Sequence, residues 1–440
     1  MTERTEAPRR HLSLADATAI YAGIILGSGI FVAPAAIAGA VPSIPIAVGL
    51  WVCGAVVAAC GASCYAECAS RMPANGGFFV FNREAYGPAI AFVGGWAAIF
   101  VTYPASIAAI ALVFATYLAQ ATGVGGWERA SAAAALASAG VLSAVGLRTG
   151  PRAQVVLTSC KIGALGLLAV AALTARGRIA PGAAAMPAAA AATATPWLSA
   201  LLILLWTYDG WSDVTLVAGE VQDPGKNIGR AVLIGTAVLA MVYGLTQLAV
   251  MTVLPDGRAA ASPRPVAAAV EAIWGETAGR GVAALVVVST FGSILGTVLT
   301  VSRLGFAMAK GGAFLKGMAA LHPRWGTPAR ATAALTAAAI AYVLLASFRN
   351  ILALFTFSVW IFYGITAVAL IILRRRRVGE ATAWRAPLGW TAPVVVLAVG
   401  AGMTVQLVAA DPLRASAGAA LFAAAFPVYA LIARSDARRR

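Results

Sequence analysis

The sequence predicts an all-α polytopic membrane protein of twelve transmembrane helices, with discontinuous helices 1 and 6, built as two inverted five-helix repeats and two accessory helices. Three observations predict this. Hydrophobic residues make up 61% of the 440-residue chain and charged residues only 11%, with a mean hydropathy of +0.85. Apolar stretches long enough to cross a bilayer follow one another at approximately 14–41, 45–70, 86–119, 131–147, 153–174, 196–219, 229–254, 278–303, 331–348, 350–373, 391–410 and 414–433. Glycine-marked polar interruptions fall in the first and the sixth, each of which opens a block of five. Residues 1–440 therefore read as one transmembrane domain. It comprises a tail at 1–13, a first repeat at 14–174, a second at 196–373 and accessory helices 11 and 12 at 391–433.

The net charge of +16 would suggest a nucleic-acid partner in a soluble chain. Its distribution excludes that. Of the 32 Lys and Arg residues, 24 lie on the side of the N-terminus, which the positive-inside rule makes cytoplasmic. Both termini are expected inside a cell (inner or plasma) membrane, and the lipid bilayer is the partner that the charge serves. The runs Arg374–Arg377 and Arg438–Arg440 read as topology anchors first and anionic-lipid contacts second. The first ten residues are polar and the first apolar run is too long for an h-region, so no cleavable signal peptide is expected. Cys53, Cys60, Cys64, Cys68 and Cys160 fall in or at the ends of spans, which implies no disulfide framework. Four of them share a stripe of span 2; with no His or Met beside it, close packing is expected rather than a metal, and no cofactor is expected. The only histidines, His11 and His322, are cytoplasmic, so no proton relay runs through an intramembrane His.

Taken in order, span 1 opens with a capping box of Ser13 and Asp16. In its middle stands Gly27-Ser28-Gly29-Ile30-Phe31. Each Gly lowers helix propensity by about 1 kcal/mol against Ala, so two in three positions invite the helix to open; close packing through small residues is the competing explanation. Pro34 follows the break. Span 2 ends in Tyr65-Ala66-Glu67 and a turn-rich loop, Arg71 to Phe78, that contains Pro73, Asn75, Gly76 and Gly77. Glu67 and Arg71, four apart, suit an ion pair at the membrane edge, with gating as the alternative role. Span 3 carries Tyr103-Pro104. Span 5 buries Lys161, too deep to reach the surface easily; it either faces other helices and finds carbonyl partners or snorkels to the cytoplasm. Residues 175–195 read as an external linker. Span 6 contains Trp206-Thr207-Tyr208-Asp209-Gly210-Trp211-Ser212-Asp213, the second break. The aromatics alone suit packing, but acids at this depth make a purely structural account costly. The loop 220–227 caps span 7, and 264–275 forms a short external helix. Span 10 carries Trp360 and Tyr363, while spans 11 and 12 hold no unusual polar residue in mid-membrane.

An opened helix leaves backbone groups that hydrocarbon cannot satisfy. At the first break the N–H groups of Ser28, Gly29 and Ile30 form a half-helix N-terminus, which suits a carboxylate by about 1–2 kcal/mol. Carbonyls released near Ile24 and Ile25, and near Trp206 and Asp209, suit an ammonium group. An α-amino acid matches both poles at once.

The chain at this point resembles the amino acid–polyamine–organocation superfamily, and within it the L-amino acid transporter group, over its whole length. The resemblance is carried by Gly27 to Phe31, by Tyr65-Ala66-Glu67 with Pro73 and Gly76-Gly77, and by Arg83-Glu84-Ala85-Tyr86-Gly87-Pro88. Tyr208-Asp209-Gly210-Trp211 with Glu220 and Asp223-Pro224, and His322-Pro323-Arg324 with Thr327-Pro328, complete it. It implies a LeuT-like fold working by alternating access, and it implies that no enzyme activity is to be sought. It implies a substrate site at Ile24, Ile25, Gly27, Ser28, Gly29, Ile30, Trp206, Tyr208, Asp209 and Gly210. The carboxylate would lie on Ser28, Gly29 and Ile30, and the amine on the backbone of Ile25, Trp206 and Asp209. Lys161 matches the lysine that the family places where sodium-coupled relatives hold an ion, which implies sodium-independent transport. Trp206 and Trp360 become gate or pocket-wall residues. Animal members often pair with a single-span subunit through a cysteine in the 3/4 loop; loop 120–130 has none, so no disulfide-linked heavy subunit is expected. Asp213 departs from the amide residues that the family places nearby. Nothing in the sequence sets an oligomeric state.

The expected activity is secondary active, sodium-independent exchange of neutral L-amino acids. Proton-coupled symport through Lys161, and antiport of cationic amino acids or polyamines on Asp209 and Asp213, are the alternatives. An amino acid sensor would bind without flux and usually needs a large soluble signalling domain, for which this sequence has no room. An intramembrane enzyme lacks a nucleophile–base pair or a metal-ligand cluster.

Overall fold

Six helices of the computed structural model are by themselves long and apolar enough to cross a membrane: Ile44–Arg71, Pro88–Thr122, Pro224–Val253, Glu276–Lys310, Phe348–Arg375 and Thr391–Ala410. They are spans 2, 3, 7, 8, 10 and 11. The structure describes residues 12–41, 43–73, 76–146, 151–174, 196–255, 257–310, 314–379 and 384–437. Spans 4, 5 and 9 are Glu128–Ala144, Pro151–Thr174 and Ala329–Leu345. Span 12 bends between Pro412–Ala423 and Ala425–Ala437. Among the described residues the only β pairing is an isolated bridge, between Leu12 and Val221. The linker 175–195, His11 and Arg438–Arg440 lie outside the described residues.

Proline starts many of these helices, where its missing N–H would lack an intrahelical partner in any case. The capping box forms as the sequence predicts. Ser13 Oγ accepts from Asp16 N–H at 3.2 Å, and Asp16 Oδ2 accepts from Ser13 N–H at 3.0 Å. The loop 220–227 caps span 7 as expected, through its backbone. Asp223 makes no side-chain cap; it adopts a left-handed φ of 44°, and its carbonyl accepts from Lys226 and Asn227 N–H at 2.8 and 2.9 Å. The loop after span 2 turns through Gly76 and Gly77, both at positive φ, into a helix at Phe78–Tyr86 that the sequence reading did not contain. The external helix forms at Pro265–Trp274. Span 3 has a π-helical turn at Ala98–Thr102, immediately before Tyr103-Pro104.

Spans 1 and 6 are broken. Span 1 runs as Leu14–Ile25, a 3-10 turn at Gly29–Phe31 and Ala33–Ala40; span 6 runs as Pro196–Thr207 and, after five non-helical residues, a 3-10 segment at Asp213–Glu220. Corresponding helices of the two repeats pack on one another: 2 on 7, 3 on 8, 4 on 9, and the outer half of 1 on the first half of 6. Five spans is an odd number, so the second repeat enters from the opposite side. A two-fold axis in the membrane plane then sets these four helices against their counterparts. This is the LeuT-like five-plus-five arrangement, with spans 11 and 12 outside it, and it brings the two breaks together at its centre.

The N-terminal strand is pinned to the far end of span 6. Gln222 N–H donates to the Leu12 carbonyl at 2.9 Å, beside the Leu12–Val221 bridge.

Candidate functional site

The breaks touch because glycine stands at both points of crossing. A Cβ at Gly29 would lie 2.8 Å from Thr207 Cα, so no larger residue fits there without moving the first half of span 6. Gly210 adopts φ +110°, which L side chains rarely reach, and a Cβ there would lie 3.0 Å from Ile24 Cγ2 and 3.4 Å from Ile25 Cγ1. Tyr243 of span 7 bridges the two breaks from behind: its hydroxyl lies 3.1 Å from the Ile25 carbonyl and 3.2 Å from the Thr207 carbonyl, offering one proton to both.

At the first break the backbone leaves its ladder after Ile25. Leu26 N–H still donates to Ala22 O at 2.8 Å, and Gly27 N–H turns onto Ile25 O at 2.6 Å. Among the described residues no acceptor meets the N–H groups of Ser28, Gly29 or Ile30. Ser28 Oγ is buried and also without a partner. Four polar groups within three residues thus lack the partners that buried groups almost always have. The Leu26 carbonyl accepts from the Lys161 ammonium, whose side chain is 1% exposed. Lys161 therefore sits behind the break on a carbonyl, the first of the two placements that the sequence allows.

At the second break, Asp209 N–H donates to Trp206 O at 3.1 Å and Tyr208 N–H to Leu204 O at 3.2 Å. The two acids each take a tyrosine hydroxyl from another span. Tyr363 O–H donates to Asp209 Oδ1, and Tyr103 O–H donates to Asp213 Oδ1 at 2.9 Å.

A cavity of about 330 Å³ lies between the breaks and spans 3 and 8. Of the residues read from sequence, Ile24, Ile25, Gly27, Ser28, Gly29, Trp206, Asp209 and Gly210 line it. It continues along Ala19 and Ile20 toward Arg303, on the face that carries both termini. A second cavity of about 900 Å³ opens on the other side, lined by Thr116, Glu128, Arg129 and Phe348 among others. Trp206 and Phe348, edge to face with centroids 5.9 Å apart, stand between the two.

Three sequence-read residues do not line the central cavity. The side chain of Ile30 is in the apolar core, and only its N–H belongs to the open turn. Tyr208 faces span 2. A Cβ at Gly54 would lie 2.9 Å from Tyr208 Cε2, and the Tyr208 hydroxyl donates to the Trp51 carbonyl at 2.8 Å. Gly54 supplies the slot that turns the ring away. Trp360 stands one layer back, packed on Trp211 and Tyr363 with centroids 5.8 and 5.7 Å away, so it buttresses the wall rather than forming it. Trp211 fills a second slot on span 2, where a Cβ at Gly61 would lie 2.7 Å from Trp211 Cζ2. The sequence reading missed Tyr243, Tyr103, Thr207 and these two slots. The seven-residue spacing of Gly54 and Gly61 on one face of span 2 was the available signal.

A separate cluster ties spans 2 and 10 together near the face of the termini. Glu67, 0% exposed, pairs with Arg71 at 2.9 Å, as its spacing predicts, and with Arg374 of span 10 at 2.5 Å. Its Oε2 also accepts from Ala386 N–H at 3.0 Å. The remaining guanidinium donors reach Val378 O and Gly389 O at 2.9 and 3.0 Å. Arg374, grouped in sequence with the topology anchors, is thus a partly buried tie between spans 2 and 10. Of the cysteine stripe, Cys60, Cys64 and Cys68 are buried while Cys53 is exposed. No cluster of metal-ligating side chains occurs among the described residues.

A family model described as amino acid permease matches residues 12–432. The mouse b(0,+)-type amino acid transporter 1 is 27% identical over 420 residues, covering 93% of this chain and 85% of that protein. The mouse Asc-type amino acid transporter 1 is 28% identical over 439 residues, 97% of this chain and 81% of that protein. The serine/threonine exchanger SteT of Bacillus subtilis is 26% identical and covers 96% of both chains. A manganese transporter of Eremococcus coleocola shares the fold with a TM-score of 0.60 at 13% identity, covering 96% of this chain and 95% of that one.

Proposed function

The chain belongs to the amino acid permease family, a family of transporters and not of enzymes, and on that premise we propose that it carries α-amino acids across a cell membrane by alternating access, as a sodium-independent exchanger of neutral L-amino acids. One observation carries the proposal. Ser28, Gly29 and Ile30 present N–H groups that no acceptor among the described residues satisfies, beside the carbonyls of the opposite break. A substrate carboxylate takes the donors. A substrate ammonium takes the remaining lone pair of the Trp206 carbonyl, which already accepts one N–H, and shares the Ile25 carbonyl with the Gly27 N–H and the Tyr243 hydroxyl. Neither a simple anion nor a simple cation uses both halves.

Lys161 supports sodium independence: its ammonium holds the Leu26 carbonyl from behind, so a tethered charge steadies the broken end without a diffusible ion. The cavity that runs to Arg303, with Trp206 on Phe348 at its other end, supports an inward-facing conformer with both termini cytoplasmic. Residues 123–127 between spans 3 and 4 contain no cysteine, which supports function without a disulfide-linked heavy subunit.

Purified protein in liposomes, with and without an internal amino acid, tests this. Uptake that requires internal substrate and ignores a sodium gradient supports exchange. Uptake that tracks sodium and ignores internal substrate refutes it. Proton-coupled symport is the second reading, because the partner of Lys161 is a neutral carbonyl, which accepts an N–H from either protonation state. Accumulation into empty liposomes driven by a pH gradient would select it.

A further inference from the structure

The central cavity has two chemically different walls. One is made of the breaks, whose backbone groups suit the part that all α-amino acids share. The other is made of spans 3 and 8. On span 3, Tyr103, Ser106 and Ile110 recur at i, i+3 and i+7, so they share one face; on span 8, Ser293, Gly296 and Thr297 share a face at i, i+3 and i+4. This second wall is small and hydroxyl-bearing, and Asp213 stands at its edge.

Asp213 is half satisfied. Its Oδ1 accepts from Tyr103 O–H at 2.9 Å and from Ser212 O–H at 3.1 Å. No donor among the described residues reaches Oδ2, although the side chain lines the cavity. A carboxylate oxygen left without a donor away from bulk water is costly, and a donor supplied by a ligand removes that cost. Gly296 adds depth. A Cβ built there meets nothing within 4 Å, so the cavity continues up to the helix backbone at that point.

We propose that the span 3–span 8 wall receives the substrate's side chain, that Asp213 Oδ2 selects side chains ending in a hydrogen-bond donor, and that Gly296 sets the length admitted. The inference rests on the amino acid reading above and sorts its substrates by one property, a hydrogen-bond donor at the end of the side chain, whether or not that end is charged. Two side-chain types share this chemistry: a neutral hydroxyl and a cationic amine. Asp209 does not make the same selection, because the Tyr363 hydroxyl holds it from span 10, beside the breaks.

Counterflow in proteoliposomes tests the inference with Thr against Val, which have nearly the same shape and differ in one donor, and with Lys as the cationic probe. Wild type is expected to prefer Thr, Lys or both over Val by about tenfold or more, because a site built to bond a donor rejects the analogue that lacks it. Equal transport of Val would overturn the proposal. Asp213→Leu abolishes the preference, and an unchanged ratio there also overturns it. Asp213→Asn separates the two side-chain types: its amide carbonyl still accepts from a hydroxyl, so a Thr preference survives, whereas a Lys preference collapses with the charge. Gly296→Val is independent of Asp213 and adds a side chain only to open space. It is expected to lower the Leu-to-Ala transport ratio about tenfold, and an unmoved ratio overturns the role of Gly296. A wild type that exchanges no amino acid at all would refute the transporter reading itself; exchange with unmoved ratios refutes only this inference.

Discussion

Glu67 and Asp213 are the same kind of group treated in opposite ways. Glu67 is sealed between spans 2 and 10, with two arginines and a backbone N–H on its oxygens. Asp213 borders the central cavity with both of its protein donors on one oxygen. The first arrangement leaves nothing for a ligand and everything to stability, since breaking a buried pair exposes an uncompensated charge. The second gives up part of its satisfaction and keeps an acceptor in reserve. Burial alone does not distinguish a structural acid from a working one. The count of donors on each oxygen does.

That contrast can be broken from either side. Glu67→Gln should have the largest effect, about 3–5 kcal/mol of stability, because Arg71 and Arg374 are left facing each other with the pair undone. Thermal unfolding in detergent reads it, and a variant with wild-type stability would show that the cluster is ornamental. Lys161→Ala should do the reverse, leaving the unfolding transition close to wild type while exchange falls roughly 10- to 150-fold, the worth of a charge-assisted hydrogen bond of about 1.5–3 kcal/mol. Wild-type flux in that variant would reduce Lys161 to packing. Ser28→Pro deletes one carboxylate donor and should weaken substrate binding by at least about tenfold, the lower end of the range for a hydrogen bond to a charged group, measured by isothermal titration. Tyr243→Phe removes the proton shared by the Ile25 and Thr207 carbonyls. It should cost about 1 kcal/mol, roughly a fivefold loss in substrate affinity in the same titration.

The one-dimensional features of this fold were legible in the sequence. Twelve spans, the odd number per repeat, the capping box at Ser13 and both breaks follow from apolar run length and from glycine beside polar residues, signals that need no knowledge of neighbours. Helix rotation was not legible. Tyr208 and Trp211 look in sequence like one aromatic group with Trp206, yet Gly54 and Gly61 of span 2 draw two of the three away from the cavity. The resemblance puts Trp360 at a gate or pocket wall, but Trp211 occupies the layer in front of it. Arg374 could not be told from Arg375, Arg376 and Arg377, because only its partner, 307 residues earlier in the chain, separates it from them. In each case the deciding contact comes from another span, and composition and periodicity carry no information about it.

The strap between Leu12 and Gln222 bears on movement. It ties the threshold of span 1 to the exit of span 6, so a displacement of either inner half would strain a bond to the other. Leu12 is not among the residues that line the central cavity, so trimming the tail past it would remove this tie without touching the cavity wall.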